Sequence, residues 1–96
     1  MAVDTFGKLN FPFMEEYECK DGVCRTFDPE RDDSEYVWHR DKEDRTVEVM
    51  EGEGWQFQFN GSLPFELTEG RKFKIDKDMY HRVIKGKTNL VLKIKK

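Results

Sequence analysis

The feature that most constrains this chain is a repeated alternation of apolar and polar side chains. Trp55, Phe57 and Phe59, for example, alternate with Gln56 and Gln58. Successive side chains of a β-strand point to opposite faces, so a segment of this kind has one face to bury. No stretch of the chain shows an extended apolar period of three to four. The pattern therefore predicts an all-β protein.

Seven segments carry the alternation, and glycines or polar turns separate them. The segments are residues 36–40, 46–50, 54–60, 63–67, 72–75, 80–84 and 89–95. Many short strands at even spacing, with no helix to cover a sheet, favour a β-barrel or a jelly-roll sandwich of about eight to ten strands. A chain of 96 residues is expected to form one domain over residues 1–96.

The charge pattern excludes several classes of partner. The net charge is −3, with 17 basic and 20 acidic residues interleaved along the chain. A protein without a positive field has no means of recruiting nucleic acid or anionic lipid. The sequence also has neither a signal-peptide pattern nor an apolar run long enough to span a bilayer. We therefore expect a cytoplasmic protein that binds neither nucleic acid nor membranes.

The two cysteines flank a strong turn signal. Cys19 and Cys24 lie on either side of the dipeptide Asp21-Gly22, which is typical of a two-residue β-hairpin. A hairpin with this turn would place the two cysteines opposite each other, close enough for a cross-strand disulfide. Reduced thiols are the alternative, and the expected intracellular location favours them.

An apolar segment precedes this hairpin. Residues 6–14 are rich in phenylalanine and contain Pro12, which restricts such a segment to an edge or an irregular strand. An exposed apolar edge is covered when it adds to the sheet of a second copy. The segment therefore predicts a homodimer.

Two further stretches resemble the paired signature motifs of the cupin family, G-x5-H-x-H-x3-4-E-x6-G and G-x5-P-x-G-x2-H-x3-N. The first motif fits by spacing from His39 to Gly52, with Asp33 in place of the opening glycine. The second fits from Gly70 to His81 without a gap. It carries aspartate at the proline position and at the second glycine position (residues 76 and 78), and lysine at the asparagine position (residue 85). The resemblance spans roughly residues 33–94 and implies a single cupin-like barrel, the double-stranded β-helix or jelly roll.

The resemblance also implies a metal site, with two departures from the family pattern. In cupins, two histidines and a glutamate of the first motif and one histidine of the second bind a divalent metal. His39 and His81 keep two of these positions, Asp41 replaces the second histidine, and Arg45 replaces the glutamate. A guanidinium has no lone pair to donate and stays charged at any working pH, so Arg45 is not a ligand.

Two interpretations of these four residues remain open. In the first, His39, Asp41 and His81 bind one divalent ion (Fe, Mn, Ni or Zn), and Arg45 holds an anionic substrate beside it. Residues 39, 41, 45, 47 and 49 share parity and could lie on one strand face, which agrees with this geometry, and a local bulge could also turn Glu43 or Asp44 inward. In the second, no metal binds, and Arg45 and Asp41 form a buried ion pair.

Three functions follow from these interpretations. The first is a cupin of unassigned role that binds a small anionic or sugar-like ligand in the barrel through Arg45, His39 and His81. The second is a metal-dependent cupin enzyme, such as an oxygenase or an isomerase. The third is a non-catalytic structural or accessory β-domain. The sequence identifies no catalytic residue, and fold resemblance alone does not choose among these functions.

Overall fold

The computed structural model describes residues 15–20, 22–31 and 34–95. Over these ranges the chain forms eight strands and a single turn of 3₁₀ helix, Ser34–Tyr36. The strands are β1 (Glu15–Cys19), β2 (Gly22–Phe27), β3 (Arg45–Glu51), β4 (Gln56–Phe59), β5 (Phe65–Glu66), β6 (Lys72–Ile75), β7 (His81–Ile84) and β8 (Leu90–Lys95). The described ranges contain no α-helix, which confirms the all-β prediction. None of their helical residues form a segment long and apolar enough to cross a membrane.

The strands form two antiparallel sheets around one core. The five-stranded sheet has the order β1-β2-β8-β3-β6, and the three-stranded sheet has the order β5-β4-β7. Both sheets contribute buried side chains to the same apolar cluster, with Phe27, Val47 and Leu92 from the first and Phe57 and Val83 from the second. Two packed antiparallel sheets with strands that cross between them form a jelly roll, as the alternation predicts.

The strand predictions hold from β3 to β8 and fail at residues 36–40. There the chain makes the 3₁₀ turn and then meets β7 at a single residue, where His39 pairs with His81. Val37 and Trp38 are exposed, and the Trp38 ring lies against the guanidinium of Arg82 on β7, so neither side chain belongs to the core. The apolar residues of this segment look like a strand in the sequence, but the backbone touches the edge of β7 at only one point.

The hairpin at the start of the described chain differs from the prediction in two ways. Cys19 pairs with Gly22 and Cys24 pairs with Tyr17, so the strands reverse one residue earlier than predicted. Cys19 and Cys24 are consequently diagonal neighbours, with Cα atoms 5.9 Å apart, and they form a disulfide. The expectation of reduced thiols was wrong. It rested on the assumed compartment, whereas the hairpin register alone brings the two sulfurs together.

The apolar segment 6–14, from which we expected a homodimer, lies outside the described residues. The homodimer therefore stays a prediction.

Backbone angles at two positions support the alignment of the second motif. Gly70, the first motif residue, has a φ of 87°, and Asp78, at the second glycine position, has a φ of 66°. Left-handed backbone of this kind favours glycine, and aspartate is among the few other residues that adopt it. The backbone thus keeps a glycine-like conformation at residue 78 although the side chain has changed.

This conformation gives a first testable prediction. Asp78→Gly should be more stable than Asp78→Ala by about 1 kcal/mol, because a Cβ atom is strained at positive φ and glycine is not. Urea denaturation of the two variants measures the difference. Equal free energies of unfolding would show that residue 78 does not hold the left-handed conformation in solution.

Candidate metal centre

The backbone places the two histidines side by side. The amide of His39 donates to the carbonyl of His81 (3.0 Å), and the amide of His81 donates to the carbonyl of His39 (2.9 Å). Side chains of such a directly opposed pair lie on the same face of the sheet. The ring centroids are 4.3 Å apart, and the His81 ring is fully buried and stacks on Phe57 at 5.2 Å. A single isolated β-bridge thus brings together two residues that are 42 positions apart in the sequence.

Both imidazole rings are held in the same way. Nδ1 of His39 lies 2.8 Å from the carbonyl oxygen of Val37, and Nδ1 of His81 lies 2.8 Å from that of Met79. A carbonyl only accepts hydrogen bonds, so each Nδ1 must carry the proton. In the neutral ring this leaves a lone pair on Nε2. Fixing one ring nitrogen by a carbonyl so that the other can coordinate an ion is the usual arrangement of metal-binding histidines.

A carboxylate meets the two Nε2 atoms. Glu35, on the 3₁₀ turn, places Oε1 2.9 Å from Nε2 of His39, and Arg25 approaches the other oxygen at 3.5 Å. One ligand atom each from Glu35, His39 and His81 lie within 4.8 Å of one another. The side chain of Glu35 is only 18% exposed, so its charge is poorly hydrated and requires cationic neighbours.

Asp41 and Arg45 form the adjoining part of the site. Asp41 is buried, with Oδ2 3.5 Å from Nε2 of His81 and Oδ1 3.7 Å from Nη1 of Arg45. Both separations are too long for good hydrogen bonds, so these are electrostatic contacts. In the described residues, Nε2 of His81 and Nε of Arg45 are buried without a hydrogen-bond partner.

The ionisation of the cluster follows from these contacts. Burial would raise the pKa of Glu35, but the positive neighbours His39 and Arg25 lower it overall. Burial would lower the pKa of His39, yet the Glu35 carboxylate and the Val37 carbonyl raise it. For His81, burial and the charge of His39 lower the pKa, against the opposite effects of Met79 and Asp41. Without a metal, these shifts favour the proton on His39 beside Glu35 and disfavour a charge on His81.

The arrangement is suited to a cation. A neutral His81 points its Nε2 lone pair towards the Asp41 carboxylate, and a neutral His39 does the same towards Glu35. Lone pairs that face carboxylate oxygens repel each other unless a proton or a metal ion lies between them. Two imidazoles and one carboxylate form the ligand class of non-haem iron and related divalent ions. The residues present thus fit a divalent transition metal.

The structure brings all four predicted site residues into one region. His39 and His81 are adjacent, and Asp41 and Arg45 form the ion pair that the second sequence interpretation described, at a length that leaves it loose. The carboxylate that joins the histidines is Glu35, which the sequence interpretation did not identify. Asp41 as a metal ligand stays a prediction.

The sequence contains a weak signal for Glu35, which precedes His39 by four residues. A 3₁₀ turn followed by a bend returns such a residue to the histidine. The alternation suggested a strand instead, and a strand would have carried Glu35 more than 10 Å away along its axis.

Comparisons with known proteins agree with the fold. No protein-family model matches the sequence, and no curated protein matches it significantly. A crystal structure of a cupin-2 domain containing protein from Shewanella frigidimarina is similar to this chain, with a TM-score of 0.57. The alignment covers 91% of this chain and 84% of that chain at 21% sequence identity. At this identity the likeness shows the fold, and the function has to be argued from the site.

Proposed function

Because the chain has a cupin fold, we propose that it is a small-molecule-binding cupin with one divalent transition-metal ion held by Glu35, His39 and His81. In this proposal a small ligand binds in the barrel beside the ion, and Arg45 contributes to holding it. The ligand set differs from the one that the sequence motif suggested, since Glu35 supplies the carboxylate in place of Asp41.

One observation carries the proposal. The Nδ1 atoms of both histidines donate to carbonyls two residues earlier, which leaves the two Nε2 atoms for coordination, and one ligand atom each of Glu35, His39 and His81 lie within 4.8 Å of one another. A histidine kept for structure alone gains most by using both nitrogens in hydrogen bonds, whereas Nε2 of His81 has none among the described residues. Matched orientation of two rings towards one point supports coordination.

The chemistry of the ligands restricts the ion. Imidazole nitrogen and carboxylate oxygen suit iron, manganese, nickel and zinc, while calcium and magnesium prefer oxygen ligands throughout. A three-ligand set leaves open coordination positions, where a metal ion could bind oxygen or polarise a substrate. The protein's own part is to hold the two rings rigidly through Val37 and Met79 and to bury His81 against Phe57.

A metal-free role is the second candidate, and the ion pairs favour it. Glu16, Arg25, Glu35 and His39 form a chain of alternating charges that sums to zero without a metal when His39 is protonated. Such a network would order the 3₁₀ turn and serve a structural domain. Metal binding distinguishes the two roles, because it displaces the His39 proton.

The test is metal retention by untagged protein. Protein stripped with a chelating resin is loaded separately with ferrous, manganous, nickel and zinc ions, desalted and analysed for metal. We expect about one equivalent of at least one ion in the unaltered protein and less than one tenth of that in His39→Gln, which loses one of the three ligands. Failure of all four ions to bind, or equal retention by His39→Gln, would contradict the proposal and support the metal-free network.

A further inference from the structure

A hollow of about 420 Å³ opens at one end of the five-stranded sheet. Five charged side chains line it, and we call it the arginine hollow. They are Glu16, Glu18, Arg25, Arg45 and Lys95. The apolar part of its wall includes Val23 and Ile94.

The hollow lies on the core side of the sheet. Arg25 pairs across β2 and β8 with Leu92, and Val23 pairs with Ile94. Directly paired residues share a face, and on this face Leu92 is buried in the core. The inner face of the sheet is therefore apolar at one end of the barrel and charged at the other. A volume of about 420 Å³ is within the range of small-molecule pockets.

The two arginines of the hollow differ in how closely carboxylate groups contact them. Arg25 is occupied by carboxylates, with Nε donating to Glu16 at 2.9 Å and Nη1 3.5 Å from Glu35. Arg45 has only the 3.7 Å contact with Asp41, and its Nε is buried without a hydrogen-bond partner in the described part of the chain. An anion in the hollow places a full negative charge against a guanidinium whose ion pair is loose, and charge-assisted hydrogen bonds of this kind are strong.

We infer that the arginine hollow binds a small monocarboxylate, with the carboxylate on the guanidinium of Arg45 and a short apolar body against Val23 and Ile94. The planar guanidinium matches a carboxylate through two parallel hydrogen bonds. The lining side chains, three cationic and two carboxylate, sum to +1, and Glu35 and Asp41 already lie against Arg25 and Arg45, so the hollow suits no more than one further negative charge. The carboxylates of Glu16 and Glu18 disfavour a dianion such as phosphate.

The hollow adjoins the proposed metal centre through two ion pairs. Arg25 contacts the ligand residue Glu35, and Arg45 contacts Asp41, which in turn lies 3.5 Å from His81. The inference rests on the proposed function only in naming this monocarboxylate as the small ligand beside the metal. The carboxylate site itself consists of protein groups and is expected to form without the ion.

Nuclear magnetic resonance titration of metal-stripped protein tests the inference apart from the metal. The probes are acetate, butyrate and benzoate, with butyramide as the uncharged analogue and inorganic phosphate as the alternative anion. We expect saturable shifts of β2 and β3 amide signals with at least one carboxylate, at least tenfold weaker binding of phosphate, and no binding of butyramide.

Two variants and one control complete the experiment. Arg45→Gln should weaken carboxylate binding at least tenfold, and Arg45→Lys should weaken it less, because lysine keeps the charge and loses the planar fork. Lys72→Gln removes one positive charge from an exposed position on β6 and should leave binding unchanged. Amide spectra of the unliganded variants report whether each is folded.

Any one of three results would contradict the inference that the arginine hollow binds a monocarboxylate. Absence of saturable shifts with all three carboxylates, unchanged binding by folded Arg45→Gln, or phosphate binding as tight as carboxylate binding would each refute the assignment. Because these titrations contain no metal, a failed metal proposal would leave their result standing, and a failed titration would leave the metal centre untouched.

Discussion

Glu35→Gln is expected to lower the affinity for the bound divalent metal by more than about 100-fold, because changes outside the ligand set alone cost about 10- to 100-fold. Glutamine is nearly the same size as glutamate but replaces an anionic oxygen donor by a neutral amide. The carboxylate of Glu35 is 2.9 Å from Nε2 of His39, at the centre of the proposed ligand set. Competition with a chromophoric chelator measures the affinity of the variant against that of the unaltered protein.

Asp41→Asn is the decisive comparison for this result. Asp41 lies 3.5 Å from Nε2 of His81, outside the proposed ligand set, where its negative charge attracts a cation, so its loss should weaken binding by about tenfold. Glu66→Gln, an exposed change on β5, controls for the loss of one negative charge. Loss of metal in Asp41→Asn together with tight binding by Glu35→Gln would restore the set His39, Asp41 and His81 that the sequence motif suggested.

Gly86→Ala is expected to lower the free energy of unfolding by about 3 kcal/mol, at the upper end of what overpacking costs. A Cβ atom at Gly86 would lie against the carbonyl oxygen of Glu53 and the ring of Trp55, closer than real Cβ atoms approach, and 2.6 Å from the amide nitrogen of Trp55. Two of these three atoms are backbone and cannot rotate away. Trp55 is fully buried, and its indole donates to the carbonyl of Thr88, so the ring is fixed as well.

Gly61→Ala is the matched control for this substitution. Gly61 has a φ of 84° and no atom within 4 Å of an added Cβ, so alanine there costs only the backbone strain of about 1 kcal/mol. Thermal unfolding should show the contrast, with the midpoint of Gly86→Ala lowered by more than about 10 °C. Similar losses in the two variants would mean that the turn at Gly86 relaxes and that the close packing on Trp55 is absent in solution.

Much of the fold was readable from the sequence because side-chain alternation reports directly on which residues face the core. Residues 47, 49, 90 and 92 are buried as their period of two predicted. Asp41 and Arg45 are also on the inner side, at 9% and 18% side-chain exposure, although residues 40–44 form no strand and alternation is therefore not the reason for the position of Asp41. The resemblance to the cupin motifs implied that His39 and His81 meet in one site, and the two residues are adjacent.

The remaining features depend on backbone geometry that alternation does not encode. The 3₁₀ turn at Ser34–Tyr36 brings Glu35 back to His39, and no period of two could predict that reversal. The hairpin reverses one residue earlier than the Asp21-Gly22 signal predicted, so Cys19 pairs with Gly22 and the disulfide joins diagonal neighbours. Side chains on opposite sheets meet according to how the sheets pack, and a single sequence carries little information about this.

The position of Arg45 takes on a meaning in the proposed site. The cupin motif places a glutamate ligand there, and in this chain the carboxylate comes instead from Glu35, ten residues earlier. Position 45 is then available for a side chain that binds an anion in the arginine hollow. The two changes are coupled in this account, because an arginine beside the metal requires the ligand carboxylate to be supplied from elsewhere.

Anomalous diffraction from a metal-loaded crystal, recorded at the absorption edge of the ion that the protein retains, locates the proposed ion directly. We expect one peak per chain, bound to Nε2 of His39, Nε2 of His81 and the carboxylate of Glu35. A peak held by other residues, or direct contact between Nε2 of His39 and Glu35 with no peak in protein shown to be loaded, would contradict this expectation.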